Sequence, residues 1–100
     1  MKRVYISGPM TGFPDFNFPA FRDASARLRG LGHCVLNPAR NPLGLEYHHY
    51  MDIAMAMVRC AEVVVLLPGA ETSKGSRAEV AYAVSLGLSV CEMDHFMGAE

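Results

Sequence analysis

Residues 62–83 read EVVVLLPGAETSKGSRAEVAYA, and this stretch decides the fold. Residues 63–67 form a continuous apolar run rich in β-branched side chains, with no polar alternation. A strand covered on both faces looks like this, as in a parallel sheet. Pro68 and Gly69 end it. Thr72, Ser73, Lys74, Gly75 and Ser76 make a small polar loop. The spacing then predicts a helix over 76–86, with Glu79 in its first turn. Ligands bind at the carboxyl ends of strands in such sheets, so Glu79 is the leading candidate for chemistry. It also has a purely structural reading. Ser76-Arg77-Ala78-Glu79 fits a capping box, in which Glu79 reaches back to the backbone N–H of Ser76. A carboxylate tied there is not free to attack a substrate, and the residues alone leave both readings open.

Upstream, residues 3–7 (RVYIS) read as a first strand, followed at once by Gly8-Pro9-Met10-Thr11-Gly12. Glycines there let backbone N–H groups approach a ligand, although an ordinary strand-to-helix turn has the same composition. The loop matches neither the dinucleotide fingerprint nor the P-loop. Asn17 is a plausible N-cap, with Pro19 in the first turn of the helix that follows. Phe21, Ala24, Leu28 and Leu31 recur at helical spacing, while Arg22, Asp23, Arg27 and Arg29 read as a solvated face. Phe13, Phe16 and Phe18 either cover a base or sugar or pad the sheet. Residues 33–36 are a second strand, and Asn37 at its end is placed to meet a ligand. The prolines at 38 and 42 forbid a helix there. The next helix, reaching about residue 61, is apolar all round over 53–58. One side should meet the sheet and the other a second subunit. His48 and His49 are not spaced to share a helix face, and no metal or other cofactor is expected. Asp52 suits a helix start and is a candidate acid. Residues 88–91 are a fourth strand, and 92–100 should fray.

The order β-α-β-α-β-α-β with right-handed crossovers predicts one α/β domain over residues 1–100. It is a flavodoxin-like three-layer α/β/α sandwich with a short parallel sheet of strand order 2-1-3-4. The switch point between the first and third strands places the loop 8–12 beside 68–79.

Composition narrows the partners. Net charge is −1, which gives no footprint for nucleic acid or an anionic membrane. No apolar run reaches membrane-spanning length. Lys2 and Arg3 precede too short an apolar run for a signal peptide. Cys34, Cys60 and Cys91 are far apart, which fits reduced thiols in the cytoplasm.

The pattern Tyr5-Ile6-Ser7-Gly8-Pro9, an acid early in the second crossover helix, an acid opening the third strand, and Ser73-x-Gly75-x-x-x-Glu79-x-Ala81-x-Ala83 together resemble the nucleoside 2-deoxyribosyltransferase superfamily. That superfamily includes the related 2'-deoxynucleoside 5'-phosphate N-hydrolases. The similarity extends to about residue 90 and is closest to a short branch with the pattern YxSGPMTG, NPA, YM, LLPG and SKG. It implies that Glu79 is the nucleophile that attacks C1' of a deoxyribonucleoside. It implies that Asp52 aids departure of the base or binds the sugar, and that Tyr5 lines the floor. Ser7, Gly8, Pro9, Met10, Thr11 and Gly12, with Asn37, Ser73 and Gly75, would surround the substrate. The hydrolases carry serine and arginine where this chain has Pro9 and Thr11, so a monophosphate would need Lys74 or Arg77. The resemblance thus implies cleavage or transfer of an N-glycosidic bond in a nucleoside or nucleotide, in a homodimer or higher homo-oligomer. The alternative is a non-catalytic nucleotide-binding module using the same crevice.

Overall fold

The computed structural model describes residues 1–99, the side chain of Ala99 excepted. Four strands, β1 (Arg3–Ser7), β2 (Cys34–Leu36), β3 (Val63–Leu66) and β4 (Ser89–Glu92), alternate with helices α1 (Phe18–Gly30), α2 (Tyr47–Cys60) and α3 (Lys74–Ser85). A last helix, α4 (Met93–Ala99), follows β4 directly. The sheet is parallel in the order β2-β1-β3-β4, as the sequence predicts. β1 and β3 sit side by side in the register Val4↔Val63 to Ser7↔Leu66.

Side chains alternate across a strand, and each face builds its own core. On one face, Val4, Ile6, Val63 and Val65 pack with Phe21, Ala24 and Leu28 of α1 and with Met93 and Phe96 of α4. On the other, Tyr5 and Val64 pack with Ala54, Val58, Ala61 and Ala83 under α2 and α3. This alternation sends Tyr5 and Ser7 to the α2–α3 face and explains their place in the site below.

Two local expectations are refined. Asn17 takes the N-cap position of α1 as expected, but it lies in the left-handed region at φ 61° after Asp15 and Phe16 at 52° and 50°, and its side chain makes no capping bond: its Nδ2 donates to the Pro9 carbonyl instead. Residues 93–98 do not fray, because Met93 and Phe96 are buried in the core, whereas Glu100 lies outside the described residues. On α2, Ala54 and Val58 are buried against the sheet, and Ile53, Met55, Ala56 and Met57 are half-buried within the single chain. No helix among the described residues is long and apolar enough to cross a membrane.

Gly8 is required by packing. A Cβ there would lie 2.8 Å from Leu67 Cβ and 3.0 Å from its Cδ1. Such an overlap at a β-carbon is relieved only by moving backbone. Gly8→Ala should therefore destabilise by about 2 kcal/mol and lower the melting temperature by roughly 10 °C, as read by circular dichroism. An unchanged melting curve contradicts this close approach.

Candidate active site

The polar cluster that matters is built from β1 and α3. Ser7 ends β1 on the α2–α3 face, and its Oγ donates to Glu79 Oε1 at 2.7 Å. Ser7 is fully buried and Glu79 is 8% exposed. Tyr5, two residues before Ser7, is also fully buried beneath them. Its hydroxyl makes no well-aligned hydrogen bond, yet it lies close enough to Glu79 to feel its charge. Burial first, then that charge, pushes the Tyr5 phenol well above its ordinary range. Burial likewise raises the Glu79 carboxyl, while the Ser7 and Tyr5 hydroxyls pull it back toward the charged form.

Glu79 is not a helix cap. α3 starts at Lys74, and Ser73 is the N-cap, its Oγ accepting the Ser76 N–H at 3.2 Å. This corrects the predicted helix start and removes the capping-box reading of Glu79. Glu79 instead falls in the second turn, on the inward stripe with Ser76 and Ala83. Ser76 Oγ is buried there without a partner. Of the two Glu79 oxygens, Oε1 is held by Ser7. Oε2 has no hydrogen bond among the described residues and is not one of the sealed-off buried atoms, so it keeps some contact with solvent. A carboxylate with one oxygen anchored and the other open is oriented for attack or for accepting a hydroxyl.

The two glycine loops do meet. The loop after β1 touches the end of β3 at Gly8 and Leu67, and a Cβ on Gly69 would lie 3.2 Å from Pro9 and 3.7 Å from Phe13. Pro9 is buried, and Met10 packs against the α1-side core. Thr11 and Gly12 are exposed at the loop tip. Phe13 and Phe16 are 42% and 55% exposed, so they do not pad the sheet. Gly75 brings α3 close to α2, where its absent Cβ would sit 3.6 Å from Met51 Sδ.

Asp52 does not join this cluster. It is exposed and has no hydrogen bond or ion pair among the described residues. The reason is helical phase: Ala54, Val58 and Ala61 face the sheet, and Asp52 lies about 160° around α2 from Ala54. Asn37 is also elsewhere. Its Oδ1 accepts the Ala39 N–H at 3.0 Å, and it lines a groove on the α1 side of the sheet. Glu62 is exposed at the opposite, amino end of the strands, where it accepts the Arg3 N–H and pairs with the Arg3 guanidinium at 3.4 Å.

Sequence reasoning named Ser7 as a substrate contact but missed it as the partner of Glu79. The period-2 count from Tyr5 to Ser7 was the available signal. It also missed that Glu46 brings an acid to the histidines: Glu46, His48 and His49 offer ligand atoms within 4.8 Å of one another, all exposed. Their local role is to start α2, with His49 Nδ1 accepting the Glu46 N–H. A groove of about 850 Å³ opens between α1, α3 and α4. Arg77, Val80 and Ala81 line it from the flank of α3 turned away from Glu79, which is not part of its lining.

Comparison with known proteins fits this architecture. Residues 2–92 match the family model described as a domain of unknown function, DUF4406. The chain belongs to the DUF4406 family. No curated protein matches its sequence. Among solved structures, this DUF4406 chain is similar to a 2-deoxyribosyltransferase from Leishmania mexicana, with TM-score 0.72 and 23% identity over 90% of the chain. It spans 62% of that protein's length. A 2-deoxyribosyltransferase from Bacillus psychrosaccharolyticus gives TM-score 0.71 at 22% identity, covering 88% of this chain and 69% of the other. A CMP N-glycosidase from Clostridium botulinum gives 0.64 at 16%, covering 89% and 66%. The DUF4406 chain therefore shares the α/β fold of these solved structures.

Proposed function

We propose that the protein cleaves or transfers the N-glycosidic bond of a 2'-deoxynucleoside or its 5'-monophosphate, with Glu79 as nucleophile. The observation that carries this reading is the Glu79 carboxylate, buried at the switch point, anchored through Oε1 by Ser7 and open at Oε2. In the first step Oε2 would attack C1' and form a glycosyl ester. The C1'–N bond breaks with its electron pair leaving on the base, which takes up a proton from water. Water or a second base then attacks C1', and the carboxylate is released. Tyr5 lies beneath the carboxylate, and its raised pKa keeps its hydroxyl protonated, able to donate to the carboxylate as its negative charge returns when the ester is cleaved. Asp52, on the far side of α2, takes no part in this step within one chain. The same reading expects a small-molecule substrate, reduced thiols at Cys34, Cys60 and Cys91 in the cytoplasm, and a homodimer through the half-buried face of α2.

The displacement of Asp52 favours a second reading, a module that binds a nucleotide without turning it over. The two separate in one assay. The protein is incubated with a panel of deoxynucleosides and deoxynucleoside monophosphates, and free base is measured by chromatography. The enzyme reading expects free base from at least one of them. Thermal stabilisation by a panel member with no free base supports the binding module.

A further inference from the structure

A second groove lies across the sheet from Glu79. It has a volume of about 510 Å³ and is lined by Phe18, Arg22, Ser25, Ala26 and Arg29 of α1 and by Asn37, Ala39 and Arg40 beyond β2. The α1 residues form one strip, because 18, 22, 25, 26 and 29 fall within about a third of a helical turn. The facing residues sit on the 3-10 turn Pro38–Arg40, fixed by the Asn37 side chain.

The lining holds three arginines and no acid, in a protein of net charge −1. Every other arginine of the chain has a partner. Arg3 pairs with Glu62, Arg27 with Asp23, Arg59 with Tyr82 and Arg77 with the Glu71 carbonyl. Arg22, Arg29 and Arg40 have none among the described residues. Three like charges facing one groove repel each other unless an anion joins them. Beneath this strip the Ser25 hydroxyl is sealed from solvent without a hydrogen-bond partner, so the groove's charged donors are the three guanidinium groups. Asn37 gives its carbonyl oxygen to Ala39 and keeps its amide N–H donors.

We propose that this groove is a binding site for a small polyphosphate, either the free anion or the phosphate chain of a nucleotide. Guanidinium groups suit phosphate because their forked N–H donors match its oxygens. Arg22 and Arg29 are seven residues apart, about 10 Å along the helix, with Arg40 facing them. That spread suits an extended polyanion better than one phosphate. Phe18, half-buried at the end of the strip, offers an apolar surface to a base. The site lies on the opposite face of the sheet from Glu79 and does not depend on the reading of Glu79 as a nucleophile.

The test is isothermal titration calorimetry of the whole chain at low ionic strength. The probes are inorganic phosphate, triphosphate, ATP and a single-stranded oligodeoxynucleotide. Triphosphate or ATP should bind with one ligand per chain, more tightly than phosphate, and more weakly as salt rises. Equal affinity for triphosphate and ATP identifies the free anion, and tighter ATP identifies a nucleotide; either supports the site. Arg22→Gln combined with Arg29→Gln, and Arg40→Gln alone, should each weaken binding about tenfold or more, with melting curves unchanged. Glu79→Gln should leave binding unchanged. No binding of triphosphate or ATP, an affinity that the arginine variants do not alter, or an oligonucleotide that binds more tightly than ATP would overturn the proposal.

Discussion

Glu79→Gln is expected to lower turnover by roughly 10⁴-fold, the scale of loss when a nucleophile is removed from an otherwise intact site. The substitution keeps the side chain's shape, and the amide oxygen can still accept the Ser7 Oγ–H that now reaches Oε1 at 2.7 Å. What it removes is the negative oxygen at the open position. Substrate binding should change little, so the loss belongs in kcat rather than KM. The pH dependence adds a second reading of the same residue. Burial raises the Glu79 pKa, so the folded protein holds this proton more tightly than the unfolded chain does. The sign follows: folding is favoured while the group is protonated, and stability falls as pH rises through the raised pKa. Activity should rise across that same window, because only the carboxylate attacks. Glu79→Gln lacks both slopes. It should be more stable than wild type at pH 8 by about 1 kcal/mol, a common gain at an active-site position, and no more stable in acid. Turnover assays and urea melts at a series of pH values check both slopes. A variant that retains wild-type turnover removes Glu79 from the chemistry.

The largest stability effect is expected at the other end of the chain. Phe96 of α4 is 8% exposed and packs into the core with Val4, Ile6 and Phe21, its ring 5.4 Å from that of His33. Phe96→Ala should cost about 3 kcal/mol, a large part of what a small domain has in reserve. The melting temperature should fall by roughly 15 °C. A seven-residue helix is too short to persist by itself, so this cost reports docking and not helix propensity. Urea denaturation with an unchanged m-value and a lowered midpoint is the expected result. A loss below about 1 kcal/mol means that α4 is not part of the cooperative core.

The sheet was legible because its strands speak plainly. Residues 63–67 have no polar alternation, and Pro68-Gly69 punctuates their end. Short crossovers then allow few strand orders. The start of α3 was misread because Ser73 and Ser76 are both good caps three residues apart. Ser73 takes the role in the structure, and the sequence has no local feature that ranks the two. Asp52 was misplaced for a related reason. A helix apolar over residues 53–58 gives a weak phase, so the buried line through Ala54 and Val58 shows only once α2 rests on the sheet. Asn17 reads as a cap from its type alone, whereas the left-handed run over 15–17 is a product of the loop it closes. The arginine groove was hidden by distance: Arg40 lies on a separate turn, and only the fold brings it opposite Arg22 and Arg29. The bond between Ser7 and Glu79 spans 72 residues and is the part of the site that sequence spacing could not supply.

If Glu79 is the nucleophile, C1' of the sugar becomes covalently bonded to a Glu79 oxygen during turnover. The direct measurement is mass spectrometry of the acid-quenched protein, taken during turnover of whichever deoxynucleoside or deoxynucleotide in the panel releases base. The expected result is a mass gain of one deoxyribosyl group, or its 5'-phosphate, mapped by peptide fragmentation to Glu79 and absent in Glu79→Gln. Base release with the adduct on another residue, or base release that persists in Glu79→Gln, contradicts it.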